Sequence, residues 1–206
     1  MLHLFLEHRI NEHCQTNFDD FIETYESINH ELWHLYSLHQ TTKEELRYQR
    51  FYKAFKHFNY ENLKLAHVWA DDYLKISPYK THLIDGAMDV LLHLQESYQL
   101  HIITNGFKEV QHIKLDYSNL KPFFNHIIIS EEHGFNKPDI KIFDLAQQLT
   151  GAQKQECVMI GDNYDTDILG ALNAEWKAFY LSENVRKNTD KNYKHIKRLI
   201  ELKDIF

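Results

Sequence analysis

The spacing of apolar residues changes character near residue 80. Before it, Phe18, Phe21, Ile22, Tyr25, Ile28, Leu32 and Leu35 recur at steps of three and four, the apolar face of one long helix. Thr42-Lys43-Glu44-Glu45 has the form of a capping box and opens a second helix, whose apolar side is Leu46, Phe51, Ala54, Phe55 and Phe58. A third helix runs from about Glu61 to Ile76, where Ser77-Pro78 interrupts it, because proline cannot continue a helix. After residue 80 short apolar runs alternate with amphipathic stretches. Leu100–Ile103, His126–Ile129, Cys157–Ile160 and Lys177–Leu181 are strand candidates. Helices are expected over about Ala87–Tyr98, Lys108–Asp116, Asp139–Leu149 and Asp165–Ala174. This alternation predicts an α/β fold with a parallel sheet covered by helices on both faces. The expected organisation is a helical region over 1–80 and an α/β region over 81–206.

Composition narrows the function classes. The 206 residues are 43% hydrophobic and 26% charged, an ordinary globular balance. The net charge is -7, and there is no basic stripe of the kind a nucleic-acid partner requires. Cys14 and Cys157 are the two cysteines, in no metal-type spacing, which fits a reducing, cytoplasmic setting rather than a disulfide scaffold. Met1–Arg9 has no basic leader, and no apolar run is long enough to span a bilayer, so no membrane partner is expected.

Three polar groups fall where a parallel sheet of this kind places ligands, beyond the carboxyl ends of its strands. Ile102-Ile103-Thr104-Asn105-Gly106 ends a strand in a hydroxyl, an amide and a glycine, which can hold phosphate oxygens or simply cap the next helix. Lys137 precedes Pro138 and is therefore extended; its ammonium suits a phosphoryl group, or is merely solvated ahead of a helix. Val158-Met159-Ile160-Gly161-Asp162 runs a buried strand into an acidic cluster that continues through Asp165 and Asp167. Clustered carboxylates call for a cation, and hard oxygen donors favour Mg²⁺, although Asp165 can equally serve a helix N-terminus.

Taken in order, Thr104, Lys137-Pro138 and Gly161-Asp162 with Asp167 resemble motifs II, III and IV of the haloacid dehalogenase superfamily, over the chain from about Leu83 onward. Finer matches point to its noncanonical pyrimidine 5′-nucleotidase branch: Ile103-Thr-Asn-Gly-Phe107, Ile129-Ser-Glu-Glu-His-Gly134, Lys137-Pro-Asp-x-x-Ile-Phe143, Leu32-Trp33 and Glu44-Glu45-Leu46-Arg47. The resemblance implies a Rossmannoid sheet with an α-helical cap and a small phosphomonoester as substrate. An aspartate would attack phosphorus and form an aspartyl-phosphate, which water then hydrolyses. Thr104 and Asn105 would bind the phosphoryl group and Lys137 would offset its charge. Asp162 would ligate Mg²⁺, with Asp167 supporting the metal site. The retained Gly-Asp favours a phosphatase over a dehalogenase. Trp33, Tyr36 and Arg47 are the candidates for substrate contact in the cap.

One part of the pattern is missing. The family's motif I, Asp-x-Asp-x-Thr after a first apolar strand, occurs nowhere in the 206 residues; Asp165-Thr166-Asp167 has the acidic spacing, but Leu169 stands where Thr should be. The absent element amounts to a strand, a turn and part of a helix, roughly 20 residues. A truncated enzyme, inactive alone, is the first expectation; a nucleophile-free pseudoenzyme with a binding or regulatory role is the second. The resemblance places that strand between those ending at Thr104 and Asp162, so these two are expected to flank a gap or to close up. A competing pattern, His30-Glu31-Leu32-Trp33-His34, matches the zincin His-Glu-x-x-His. In a chain with 15 histidines it reads as a helix surface.

Overall fold

The computed structural model describes Ile10, residues 16–184 and residues 192–206. Cys14 and the Met1–Arg9 segment lie outside them. The chain divides into two compact units, Met1–Lys80 and Thr81–Phe206.

The first unit is a helical triangle: α1 (Phe18–Ser37), α2 (Lys43–His57) and α3 (Leu63–Ile76). Each helix is started by a side chain that satisfies an otherwise unpaired N–H: Asn17 for α1, Thr42 for α2 and Asn62 for α3. At α2 the box is reciprocal. Glu45 N–H donates to Thr42 Oγ1 at 3.1 Å, while the Glu45 carboxylate accepts from Thr42 N–H at 3.1 Å. A 3-10 turn at Ser77–Tyr79 ends the unit, as the proline requires. The core is aromatic: Trp69 packs edge-on to Phe55 with centroids 4.8 Å apart, and Phe21 and Phe51 close around it. Arg50 is buried on the apolar side of α2, which the hydrophobic pattern does not foresee. Its guanidinium lies 4.6 Å from the Tyr73 ring and donates to Asn29 Oδ1 at 3.3 Å. Burial pushes the neighbouring Tyr25 hydroxyl well up from its ordinary pKa.

The second unit alternates strands and helices: α4 (Ala87–Leu94), β1 (His101–Thr104), α5 (Lys108–Tyr117), β2 (His126–Ile129), α6 (Ser130–His133), α7 (Ile140–Thr150), β3 (Val158–Gly161), α8 (Leu169–Asn173), β4 (Lys177–Leu181) and β5 (Tyr193–Ile196). All pairings are parallel, as the alternation predicts. Several details differ from the sequence reading, among them the one-turn helix α6, which was not expected, and the end of α4 at Leu94 rather than Tyr98. β5 was not expected, because Lys194 and His195 break its apolar run. The helix expected from Asp165 begins as a π-helical turn, Tyr164–Ile168, and becomes α only at Leu169. The single sheet is in two pieces: among the described residues β1 pairs only with β2, and β3 with β4, which pairs with β5.

The two half-sheets face each other across a slot of about 730 Å³ between β1 and β3. Side-chain alternation shows how it is enclosed. Val158, Ile160 and Phe179 point to one layer with Val90 and Leu94 of α4. Met159, Ala178 and Tyr180 point to the other, with Ile142, Phe143 and Ala146 of α7. Helices therefore cover both faces, as a parallel sheet requires. No helix among the described residues is long and apolar enough to cross a membrane.

Candidate active site

β1, β2 and β3 deliver their carboxyl ends to one edge, and the loops beyond them form a single hydrogen-bonded chain across the slot. Thr104 ends β1, with its hydroxyl accepting from Gly106 N–H at 3.0 Å. Asn105 turns away from the strand and grips the loop ahead of α7: its Nδ2 donates to the Lys137 carbonyl at 2.9 Å, and its Oδ1 accepts from Lys137 N–H at 2.8 Å. Ser130, fully buried at the end of β2, donates to the same Oδ1 at 2.8 Å. The Lys137 backbone is thus pinned, and its side chain reaches to the β3 side. There Lys137 Nζ donates to Asp167 Oδ1 at 2.6 Å.

Both members of that pair are desolvated, Lys137 at 8% and Asp167 at 4% exposure. A buried charge persists only when paired and hydrogen-bonded. Asp167 meets this condition with every oxygen: Thr166 Oγ1 also donates to Oδ1 at 3.3 Å, and Asn163 N–H donates to Oδ2 at 3.1 Å. The π-helical turn results from these contacts. Asn163 Oδ1 accepts from the N–H groups of both Asp165 and Thr166, at 3.1 and 3.0 Å, and the widened turn swings Asp167 back over Gly161. A Cβ at Gly161 would overlap the Asp167 carboxylate, so glycine is required there by close approach rather than by backbone angle.

The structure therefore links Asn105, Lys137 and Asp167 by hydrogen bonds, while Thr104 precedes Asn105 at the end of β1 and its hydroxyl is bonded to Gly106 N–H. Asp162 sits just past β3 with an exposed side chain. Among the described residues no group of three or more His, Cys, Asp or Glu side chains has metal-holding geometry. The donor set fits Mg²⁺ only in part: Asp162 offers an exposed carboxylate, whereas the oxygens of Asp167 are already taken by protein donors. Ser130 and Asn163 were not singled out by sequence reasoning. Each is a small polar residue at a strand's carboxyl end, the signal that picked out Thr104.

Arg47, Trp33 and Tyr36 belong to the helical unit. Arg47 pairs with Asp71 at 2.8 Å, and Trp33 and Tyr36 pack edge-to-face with centroids 5.7 Å apart. His30 and His34 are exposed on α1. Cys157 is a free thiol whose pKa is raised first by burial and then by Glu156.

The model of the haloacid dehalogenase-like hydrolases matches residues 6–175. The chain belongs to this family. Within it, the pyrimidine 5′-nucleotidase YjjG of Escherichia coli is 31% identical over 173 residues, covering 84% of this chain and 75% of that protein. The pyrimidine 5′-nucleotidase PynA of Streptococcus pneumoniae is 36% identical over 152 residues, 73% of this chain and 63% of PynA. Among solved structures, the HAD-hydrolase YfnB of Bacillus subtilis, bound to magnesium, superposes with a TM-score of 0.83 at 28% identity, covering 99% of this chain and 88% of that one. The family's phosphatase members include relatives that act on phosphate esters as different as a pyrimidine nucleotide and glyceraldehyde 3-phosphate.

Proposed function

We propose that the chain carries the phosphate-handling part of a Mg²⁺-dependent phosphatase for pyrimidine nucleoside 5′-monophosphates, with residues 1–80 as its cap and 81–206 as its core. The observation that carries the reading is the Asn105–Lys137–Asp167 chain, which holds a desolvated ammonium at the ligand edge of a parallel sheet. In a water-poor site such an ammonium attracts a phosphoryl group far more strongly than it would in solution. Thr104 would donate its hydroxyl to a phosphoryl oxygen. Asp162 would hold Mg²⁺ together with water and the substrate phosphate, and the ion would supply charge neutralisation. Trp33, Tyr36 and Arg47 are proposed to contact the nucleoside.

In the complete reaction a carboxylate oxygen forms a bond to phosphorus as the bond to the nucleoside 5′-oxygen breaks, and that oxygen leaves with a proton. Water then cleaves the acyl-phosphate, releasing inorganic phosphate and restoring the carboxylate. The 206 residues hold no Asp-x-Asp-x-Thr to supply that carboxylate, and the oxygens of Asp167 are engaged. The chain by itself therefore binds phosphate without turning over, which is also what a regulatory protein of this family would do.

The test is calorimetric titration of inorganic phosphate and of CMP, each with Mg²⁺, into the chain and its variants. Binding is expected for both, with CMP the tighter. Lys137→Ala should weaken phosphate binding by about 3 kcal/mol, the scale of one preorganised electrostatic group, while Asp162→Asn should remove the Mg²⁺ dependence. Equal phosphate binding by the parent and Lys137→Ala proteins would overturn the reading. CMP hydrolysis by the 206-residue chain would overturn its inactivity.

A further inference from the structure

The helical unit holds a buried cation that no carboxylate answers. Arg50 is 3% exposed. Its guanidinium lies 4.6 Å from the Tyr73 ring and 5.3 Å from the Phe51 ring, and its Nε donates to the Arg47 carbonyl at 3.3 Å. Nη1 donates to Asn29 Oδ1 at 3.3 Å, while Nη2 is buried without a hydrogen-bond partner. Among the described residues Arg50 makes no ion pair; the nearby Asp71 is taken by Arg47 at 2.8 Å.

This arrangement fixes the sense of one amide. A guanidinium donates and never accepts, so Asn29 must turn its oxygen toward Arg50. Its Nδ2 is thereby directed elsewhere. Asn29 is half-buried, and this nitrogen makes no hydrogen bond among the described residues and is not enclosed. The residue type is informative. A buried charge is usually paired, and an aspartate at position 29 would offer Arg50 the same oxygen together with a charge. Asparagine forgoes that pairing and keeps a donor.

The neighbours on α1 indicate what the donor meets. Trp33 and Tyr36 follow Asn29 by four and seven residues, on the same face of the helix, with their rings edge-to-face at 5.7 Å. An aromatic surface beside an N–H of fixed direction suits a flat heterocycle that carries an acceptor. Cytosine and uracil both carry a 2-oxo group. Adenine has hydrogen at its 2-position, and guanine has an amino group, itself a donor. A fixed N–H therefore suits both pyrimidines, is indifferent to the amino or oxo group at their 4-position, and finds no 2-oxo oxygen on either purine.

We propose that Asn29 selects the base, donating from Nδ2 to the 2-oxo oxygen of a pyrimidine stacked on Trp33, and that Arg50 is the positioning residue that holds the amide in the required sense. The proposal rests on the reading of the chain as a binder of pyrimidine nucleoside 5′-monophosphates and names the group by which they are recognised.

Calorimetric titration of the whole chain tests this with ribose 5-phosphate, CMP, UMP, AMP and 4-pyridone riboside 5′-monophosphate, which keeps a flat six-membered ring but lacks the 2-oxo oxygen. CMP and UMP should bind alike, each about tenfold tighter than the pyridone nucleotide, the scale of one well-made hydrogen bond. AMP should bind no better than the pyridone nucleotide. Asn29→Asp keeps the oxygen toward Arg50 and removes the donor. Its urea-unfolding midpoint should equal or exceed that of the parent, and ribose 5-phosphate should bind as before, but the advantage of CMP and UMP should vanish. Equal binding of CMP and the pyridone nucleotide by the parent, a comparison that needs no variant, would overturn the proposal and leave the phosphate reading standing. So would an Asn29→Asp protein that retains the preference. A parent chain that binds none of the five ligands would overturn both.

Discussion

The two units reach stability by different means. In the helical unit every helix brings its own start signal and a stripe of apolar residues, and the stripes meet around Trp69. In the α/β unit the elements are short, four residues for most strands, and the two sheet pieces are connected by helices across both faces and by the polar chain at one edge. The first arrangement is built from contacts between neighbours in sequence. The second depends on residues 25 to 32 positions apart: Ser130 with Asn105, Lys137 with Asp167, Asn105 with Lys137. A fold of the first kind is robust, and a site can only be made by the second kind, because several chemical groups must converge from different elements.

The contrast can be broken most forcefully at its aromatic centre. Trp69→Ala removes the largest buried side chain and should destabilise the helical unit by about 4 kcal/mol. Exchange of amides in β1–β5 should be unchanged; slowing or acceleration there would show that the units do not stand apart energetically. Asn105→Ala is the corresponding cut in the α/β unit. It strands the Lys137 N–H, the Lys137 carbonyl and the Ser130 hydroxyl, with an expected loss of about 3 kcal/mol in urea unfolding. Phosphate affinity should fall with it, though Asn105 need not touch the ligand. A stable Asn105→Ala protein with unchanged affinity would show that the polar chain is not what positions Lys137.

Legibility from sequence divides along the same line. The capping box at Thr42 and Glu45 appeared where its spacing put it, because a helix start is decided within four residues. β2 and β4 matched to the residue, since each is an apolar run bounded by polar neighbours. β5 was hidden because its ladder partner, not its own composition, makes it a strand. Arg50 was hidden for a similar reason: its burial depends on the Tyr73 ring and Asn29, brought over from other helices, together with the Arg47 carbonyl of its own helix. Thr104 and Asp162 were legible as polar residues at the carboxyl ends of β1 and β3. The fixing role of Asn105 was not, since its partners come from two later loops. Nor was the π-helical turn, whose cause is the side chain of Asn163 taking two N–H groups at once.

Smaller effects sharpen the contrast. Thr42→Ala should cost about 1 kcal/mol, confined to the start of α2 and read as faster exchange at Leu46 and its neighbours. The smallest expected effect is a pH dependence centred on His101, stacked on His126 with centroids 5.3 Å apart. Burial first, and the His126 charge second, hold its pKa below the ordinary 6.5. The unfolded chain then binds the proton more readily, so the stability of the α/β unit is full above about pH 6.5 and declines as pH falls below it. His101→Gln should flatten this slope; an unchanged slope would assign it to another group.

The polar chain at the site also has a mechanical meaning. The hydrogen bonds that cross from one half-sheet to the other, through Asn105, Lys137 and Asp167, gather at the carboxyl ends of the strands. Away from that edge the halves share apolar layers, to which α4 contributes Val90 and Leu94 and α7 contributes Ile142, Phe143 and Ala146. The residues proposed to handle phosphate sit at that fastening, where the cross-links fix their spacing as a clasp fixes the ends it joins.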